Sequence, residues 1–166
     1  MEEQTPIKRH DALISFSTEH QYLLLLLWKI RHGLSHSISA DRISKYIIYA
    51  YNADVRPHFW DEEANLFNIL RPHDPMRVQG ESEHREIHEV VVRISKKTGD
   101  ESLIRSFADL LEKHIRFEEL TLFNYLQDQL SAEAIVKLLP RQPTDPDSKW
   151  PDLYWMEHLT PRPKST

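Results

Sequence analysis

The chain has 166 residues and a formal net charge of −5, with 21 Lys and Arg against 26 Asp and Glu, enough for one domain with a real core. It contains no cysteine, which excludes disulfides, Cys-type structural zinc, iron–sulfur clusters and thiol catalysis and fits a reducing cytoplasm. Charges of both signs are interspersed, so no basic face for nucleic acid or anionic lipid stands out. Met1–Thr5 lacks the basic and apolar regions of a signal peptide, and the run Leu23–Trp28 is too short to span a bilayer. The expected setting is the cytoplasm, with neither nucleic acid nor membrane as partner. Three glycines, with Leu and Glu plentiful, indicate an all-α chain, and ten histidines are the compositional oddity.

Residues 1–9 are polar. From Ala12 to His32, Leu13, Phe16, Leu23, Leu27 and Ile30 describe a helix with a wide buried face. Ser17 or Thr18 is placed to cap it and Gly33 to end it. Ser39 opens a second helix carrying Ile43, Tyr46, Ile47 and Tyr51, which bends at Pro57 and continues to Leu70. Arg71–Pro75 is a break. A third helix runs from Met76 to Lys97 and stops at Thr98-Gly99-Asp100. A fourth runs from Asp100 or Glu101 to Leu126, and a short fifth from Ser131 to Leu139. From Pro140 the chain is proline-rich, but Trp150–Met156 is too aromatic to sit in water and is expected to pack over one end of the bundle. The organisation read from this is a bundle over 1–139, with its core at about 9–130, and an extension over 140–166. Short connections between long helices mean an up-down-up-down four-helix bundle.

Two stretches repeat. His58–Leu70 and His114–Leu126 each place a histidine four residues before Glu-Glu, followed by Leu-Phe-Asn-x-Leu. Residues i and i+4 share a helix face, so His58 points with Glu62 and His114 with Glu118. Glu19-His20 and Glu83-His84 open a second repeat, which predicts that His20 and His84 face one centre from opposite sides. Imidazoles and carboxylates converging from helices suit a borderline divalent metal held in a bundle core. As surface pairs these residues would contribute only a few tenths of a kcal/mol, whereas their apolar flanks demand burial.

These four segments resemble the hemerythrin-like, or HHE cation-binding, domain family, over roughly Arg9 to Leu130. The resemblance implies a non-haem di-iron site. His20, His58, His84 and His114 would be the imidazole ligands, and Glu62 and Glu118 the bridging carboxylates, leaving positions for O2 or NO. Zinc or manganese would also suit such ligands. Glu63 and Glu119 would hydrogen-bond ligand histidines and fix their orientation. The family's oxygen carriers add a histidine from a His-x-x-x-His pair, a spacing met by His84 and His88, which makes His88 a candidate fifth ligand. They also carry an aspartate five residues after the last histidine, where this chain has Glu119. The four-histidine, two-glutamate pattern is closer to the iron–sulfur-repair and nitric-oxide-responsive members, whose cysteine-bearing N-terminal region has no counterpart among these residues.

The reading favoured is coordination of O2 or NO, or sensing and storage of iron, with a redox protein as partner, rather than turnover of an organic substrate. The alternatives are a di-iron oxidoreductase consuming NO or peroxide or repairing iron–sulfur clusters, and a bundle without metal serving as an interaction module. His10 is the alternative first ligand. His32, His36, His73 and His158 read as solvated turn or tail residues.

Overall fold

The computed structural model describes residues 11–129 and 149–158; the expected fifth helix at 131–139 and His10 lie outside these residues. Four helical arms form the bundle. The first is α1 (Asp11–Ser35). The second joins α2 (Ala40–Ala50) to α3 (Arg56–Asn65) through a π-helical turn at Tyr51–Val55. The third is α4 (Pro75–Lys96), and the fourth joins α5 (Glu101–Phe117) to α6 (Phe123–Gln129) through a π-helical turn at Glu118–Leu122. The short connections make successive arms antiparallel. α1 packs on α2 and α5, and α4 on α2 and α5.

Local chemistry explains the boundaries. Ser39 caps α2 by accepting from Arg42 N–H, Asp74 caps α4 from Met76 N–H and Asp100 caps α5 from Leu103 N–H. Pro75 fills the first position of α4, where a missing N–H costs no helical bond. The bend expected at Pro57 takes the form of the π-turn before it. Arg56 N–H reaches back to Tyr51 C=O, which restarts the ladder, so that Pro57 falls in the first turn of α3. In the fourth arm Phe123 N–H reaches Glu118 C=O in the same way, without a proline to announce it.

Two of the expected boundaries differ. Thr18 does not cap α1; its hydroxyl donates to Ile14 C=O inside the helix. Nor does Gly33 end α1, which runs on to Ser35, and the left-handed residue of that turn is Ser37 (φ 57°). Gly33 serves close packing, since a Cβ there would lie 2.7 Å from the Tyr154 ring. Gly99 has a negative φ and open space around it.

The apolar core falls into two clusters. The larger includes Leu23, Leu27, Ile30, Tyr46, Ile47, Ile87, Ile94, Ile104, Phe107 and Leu111. The smaller gathers Leu13, Phe16, Leu66, Phe67, Phe117, Leu122, Phe123 and Leu126. The aromatic segment at 150–156 belongs to the first. Tyr154 is fully buried, its hydroxyl donates to Lys29 C=O at 3.1 Å, and Lys29 Nζ sits 4.3 Å from the centre of the Trp155 ring. Arg42 anchors the segment from outside through Asp152 and Glu157. It therefore lies against α1 and α2; Lys29 is about 13 Å along the helix from His20 at ~1.5 Å per residue.

Candidate metal centre

Residues from both apolar clusters flank a layer of buried ionisable side chains. His20 comes from α1, His58 and Glu62 from α3, His84 from α4, and His114 and Glu118 from the fourth arm, all of them buried. Their donor atoms form two groups in which every atom lies within 4.8 Å of the others: His20, His58, Glu62 and Glu118, and then Glu62, His84, His114 and Glu118. Glu62 and Glu118 belong to both groups and sit between them. The i,i+4 spacing does what the helix requires, with Nε2 of His58 against Glu62 Oε1 and Nε2 of His114 against Glu118 Oε1.

The opposite nitrogen of each ring is held by a carboxylate outside the layer. His20 Nδ1–H donates to Glu119 at 2.7 Å, His84 to Glu63 at 2.8 Å, His114 to Glu83 at 2.9 Å, and His58 to Glu19. The four bonds fix a tautomer in which every Nε2 lone pair points inward. Inside, polar partners run out. Beyond the close His58–Glu62 and His114–Glu118 contacts, His20 Nε2, His58 Nε2 and both oxygens of Glu62 and of Glu118 are buried without a well-formed hydrogen bond, a costly arrangement unless something positive sits among them. Nε2 of His84 and Nε2 of His114 stand 3.0 Å apart, a distance two lone pairs do not tolerate without a proton or cation.

The electrostatics carry the same demand. Burial, and then the Glu118 charge beside it, push the Glu62 carboxyl well above the usual range. Burial opposes the charge on Glu118 too, but His114 outweighs it and holds that carboxyl well below the usual range. Burial likewise works against charge on His58, which Glu62 and Glu19 nevertheless raise well above the usual imidazole value. On His114, Glu118 and Glu83 overcome burial and push the pKa up to about 10. His84 is lowered, by burial first, with His114 repelling its charge and Glu63 working the other way. The layer thus draws positive charge onto His58 and His114, where protons and metal ions compete for the same inward lone pairs. Two imidazole nitrogens and two carboxylates per group suit a divalent ion of borderline softness.

The structure brings together His20, His58, Glu62, His84, His114 and Glu118, and sets Glu63 and Glu119 on the outer nitrogens of the two unpaired histidines. His88 stands apart from both groups, one helical turn beyond His84, with its Nδ1 at 2.9 Å from the Tyr51 hydroxyl. The 84/88 spacing puts the two rings on one side of α4, but His84 is buried and His88 is exposed. Sequence reasoning missed the roles of Glu19 and Glu83, although the repeated Glu-His dipeptide carried the signal. It also missed the work of the repeated Leu-Phe-Asn. Phe123 stacks on His20 with centroids 5.6 Å apart, and Phe67 stacks on His84 at 5.2 Å. His32, His36 and His158 are not isolated: their rings form a stack with Trp28, with centroid spacings of 4.6, 4.1 and 4.9 Å. His73 is exposed in its turn.

Among the described residues no helix is long and apolar enough to cross a membrane. Of known proteins, the family model described as hemerythrin HHE cation binding domain matches residues 12–127. No curated protein and no solved structure matches the chain.

Proposed function

The chain belongs to the hemerythrin family of HHE cation-binding domains, and from that premise we propose that its buried layer holds a pair of iron ions and binds O2 or NO there, or reports iron supply through its own occupancy. The observation that carries this reading is the set of buried inward atoms without well-formed hydrogen bonds, arranged as two groups that share Glu62 and Glu118. Iron would supply affinity for small diatomic ligands and a change of oxidation state.

The protein's own part is distinct. Glu62 and Glu118 provide the negative charge common to both groups. Glu19, Glu63, Glu83 and Glu119 hold the protons on the outer nitrogens, which keeps the inner lone pairs free. Phe123 and Phe67 stack on the two histidines that have no glutamate four residues further along their own helix. The apolar side chains on either side keep bulk water from the layer.

The test is metal analysis of protein purified without oxygen, with absorption spectra before and after admission of O2 and, separately, NO. Two irons per chain and a near-ultraviolet or visible change with either gas are expected. Protein that retains no transition metal, or holds iron and responds to neither gas nor iron supply, would contradict the reading.

A further inference from the structure

The two repeats supply an internal control. Wherever the halves share a feature, the metal layer accounts for it; where they differ, a second role becomes visible. The largest difference lies outside His84. Between α3 and α4 there is an open cleft of about 370 Å³ whose inner wall is formed by His84, Glu63 and Phe59, the last stacked on His84 with ring centroids 3.9 Å apart. Tyr51 and His88, bonded to one another, form its side. Its rim carries Trp60, which is 57 % exposed, with the Arg56 guanidinium 4.6 Å over the ring, together with Arg85 and Glu89.

The repeat maps these positions onto the other half. Arg56 and Trp60 correspond to Glu112 and Arg116, which form an i,i+4 ion pair of 2.7 Å that Arg31 joins from α1. Arg85 corresponds to Gln21, His88 to Leu24 and Phe59 to Ile115. A groove on that side, lined in part by Leu24, Trp28, Arg31 and Glu112, reaches neither His20 nor Glu119. The aromatic, arginine-rimmed cleft is therefore a property of one half and not a consequence of the bundle.

Its two guanidiniums form no ion pair. Arg31, Arg42, Arg77, Arg105 and Arg116 each hold a carboxylate, whereas Arg56 and Arg85, like Arg71 and Arg93, have no carboxylate within ion-pair distance among the described residues. Of the acids lining the cleft, Glu63 accepts from His84 and Glu89 stands on the rim, so two guanidiniums share the cleft with two carboxylates, one of them already hydrogen-bonded. Aromatic walls favour a flat ring system, unpaired guanidiniums favour a carboxylate or phosphate oxygen, and the volume lies at the lower end of the roughly 300–1,000 Å³ of small-molecule sites.

We propose that this cleft is a binding site for a planar aromatic anion, whose ring lies against Tyr51, Phe59 and Trp60 and whose acidic group meets Arg56 and Arg85. His84 lines both the cleft and the metal layer, so an aromatic donor or acceptor would be placed at the edge of that layer. That last consequence rests on the metal reading; the binding itself does not.

The probe is 2-naphthoate, titrated calorimetrically into the metal-loaded protein, with 2-naphthamide and inorganic phosphate as controls. One molecule per chain is expected for naphthoate, with the amide and phosphate each at least about tenfold weaker, the loss that follows from a missing charged contact or a missing ring. Arg56→Met with Arg85→Met should weaken naphthoate about tenfold or more, as should Trp60→Ala, and Glu89→Gln should tighten it a few-fold. Metal content should be the same in every variant, which separates this test from that of the metal layer. No binding at millimolar naphthoate, equal affinity for the amide, or an arginine double variant that binds like the parent would overturn the proposal.

Discussion

At the metal layer the two halves of the chain place matching residues, and beyond the outer carboxylates they do not. His20 and His84, His58 and His114, Glu62 and Glu118 occupy matching places, and each imidazole has its own outer carboxylate. Around that matched centre the packing diverges. Phe16 in the first half meets Phe123 edge-on at 6.5 Å. Its counterpart in the repeat is Gly80, where the Phe67 ring comes so close that a Cβ would lie 2.5 Å away. Arg56 lies on Trp60, where the other half has a Glu112–Arg116 ion pair. The geometry of the centre constrains its own residues tightly, and the surroundings are free to differ provided the imidazoles stay in place.

Removing one of the inner histidines is the most severe test of that equivalence. His58→Ala and His114→Ala should each abolish metal loading, read by elemental analysis, while circular dichroism keeps most of the helix signal. Near-stoichiometric metal in one of them would break the symmetry between halves. The outer carboxylates sharpen the comparison. Second-row partners of this kind typically contribute about 10–100-fold in metal affinity. Glu19 and Glu83 are buried, whereas Glu119 is 28 % and Glu63 42 % exposed at the side chain. Glu19→Gln and Glu83→Gln should therefore fall toward the upper end of that range and Glu63→Gln toward the lower, in competition with a chromophoric chelator. Equal losses would show that water does not compete for the exposed pairs.

Packing differences should appear in thermal unfolding. Phe16→Ala leaves a cavity and should cost about 3–5 kcal/mol, whereas Gly80→Ala forces Phe67 aside and should cost about 1–3 kcal/mol. The second should also loosen the clamp on His84 and reduce metal affinity. The mildest effect concerns the aromatic segment. The Asp152 carboxyl is held below its usual range chiefly by its hydrogen bonds from Arg42. A carboxyl with a depressed folded value stabilises the docked form at every pH above its free value of about 3.9 and loses that contribution as pH falls through the folded value. Trp155 emission should hold steady from about pH 7 to 5 and shift only below about pH 4; a shift near neutrality would point to a histidine, such as His158 beside His36, as the controlling group.

Much of this was legible in the sequence because the repeat encodes it twice. The four arms, the i,i+4 histidine–glutamate pairs and the facing of His20 toward His84 follow from helical periodicity. What stayed hidden depended on register between helices. Glu19 and Glu83 bond histidines 39 and 31 residues away, which no local spacing reveals. The π-turn at Glu118–Leu122 has no proline to mark it. His88 has the spacing of a ligand, yet the rotation of α4 turns it toward Tyr51. Gly33 reads as a helix stop until Tyr154, 121 positions later, is seen against it.

The central claim is that six side chains make two adjoining metal sites. Anomalous diffraction at the iron edge from crystals of the metal-loaded protein tests it most directly. Two peaks are expected, one among His20, His58, Glu62 and Glu118, and the other among Glu62, His84, His114 and Glu118. A single peak, or peaks away from these six residues, would contradict it.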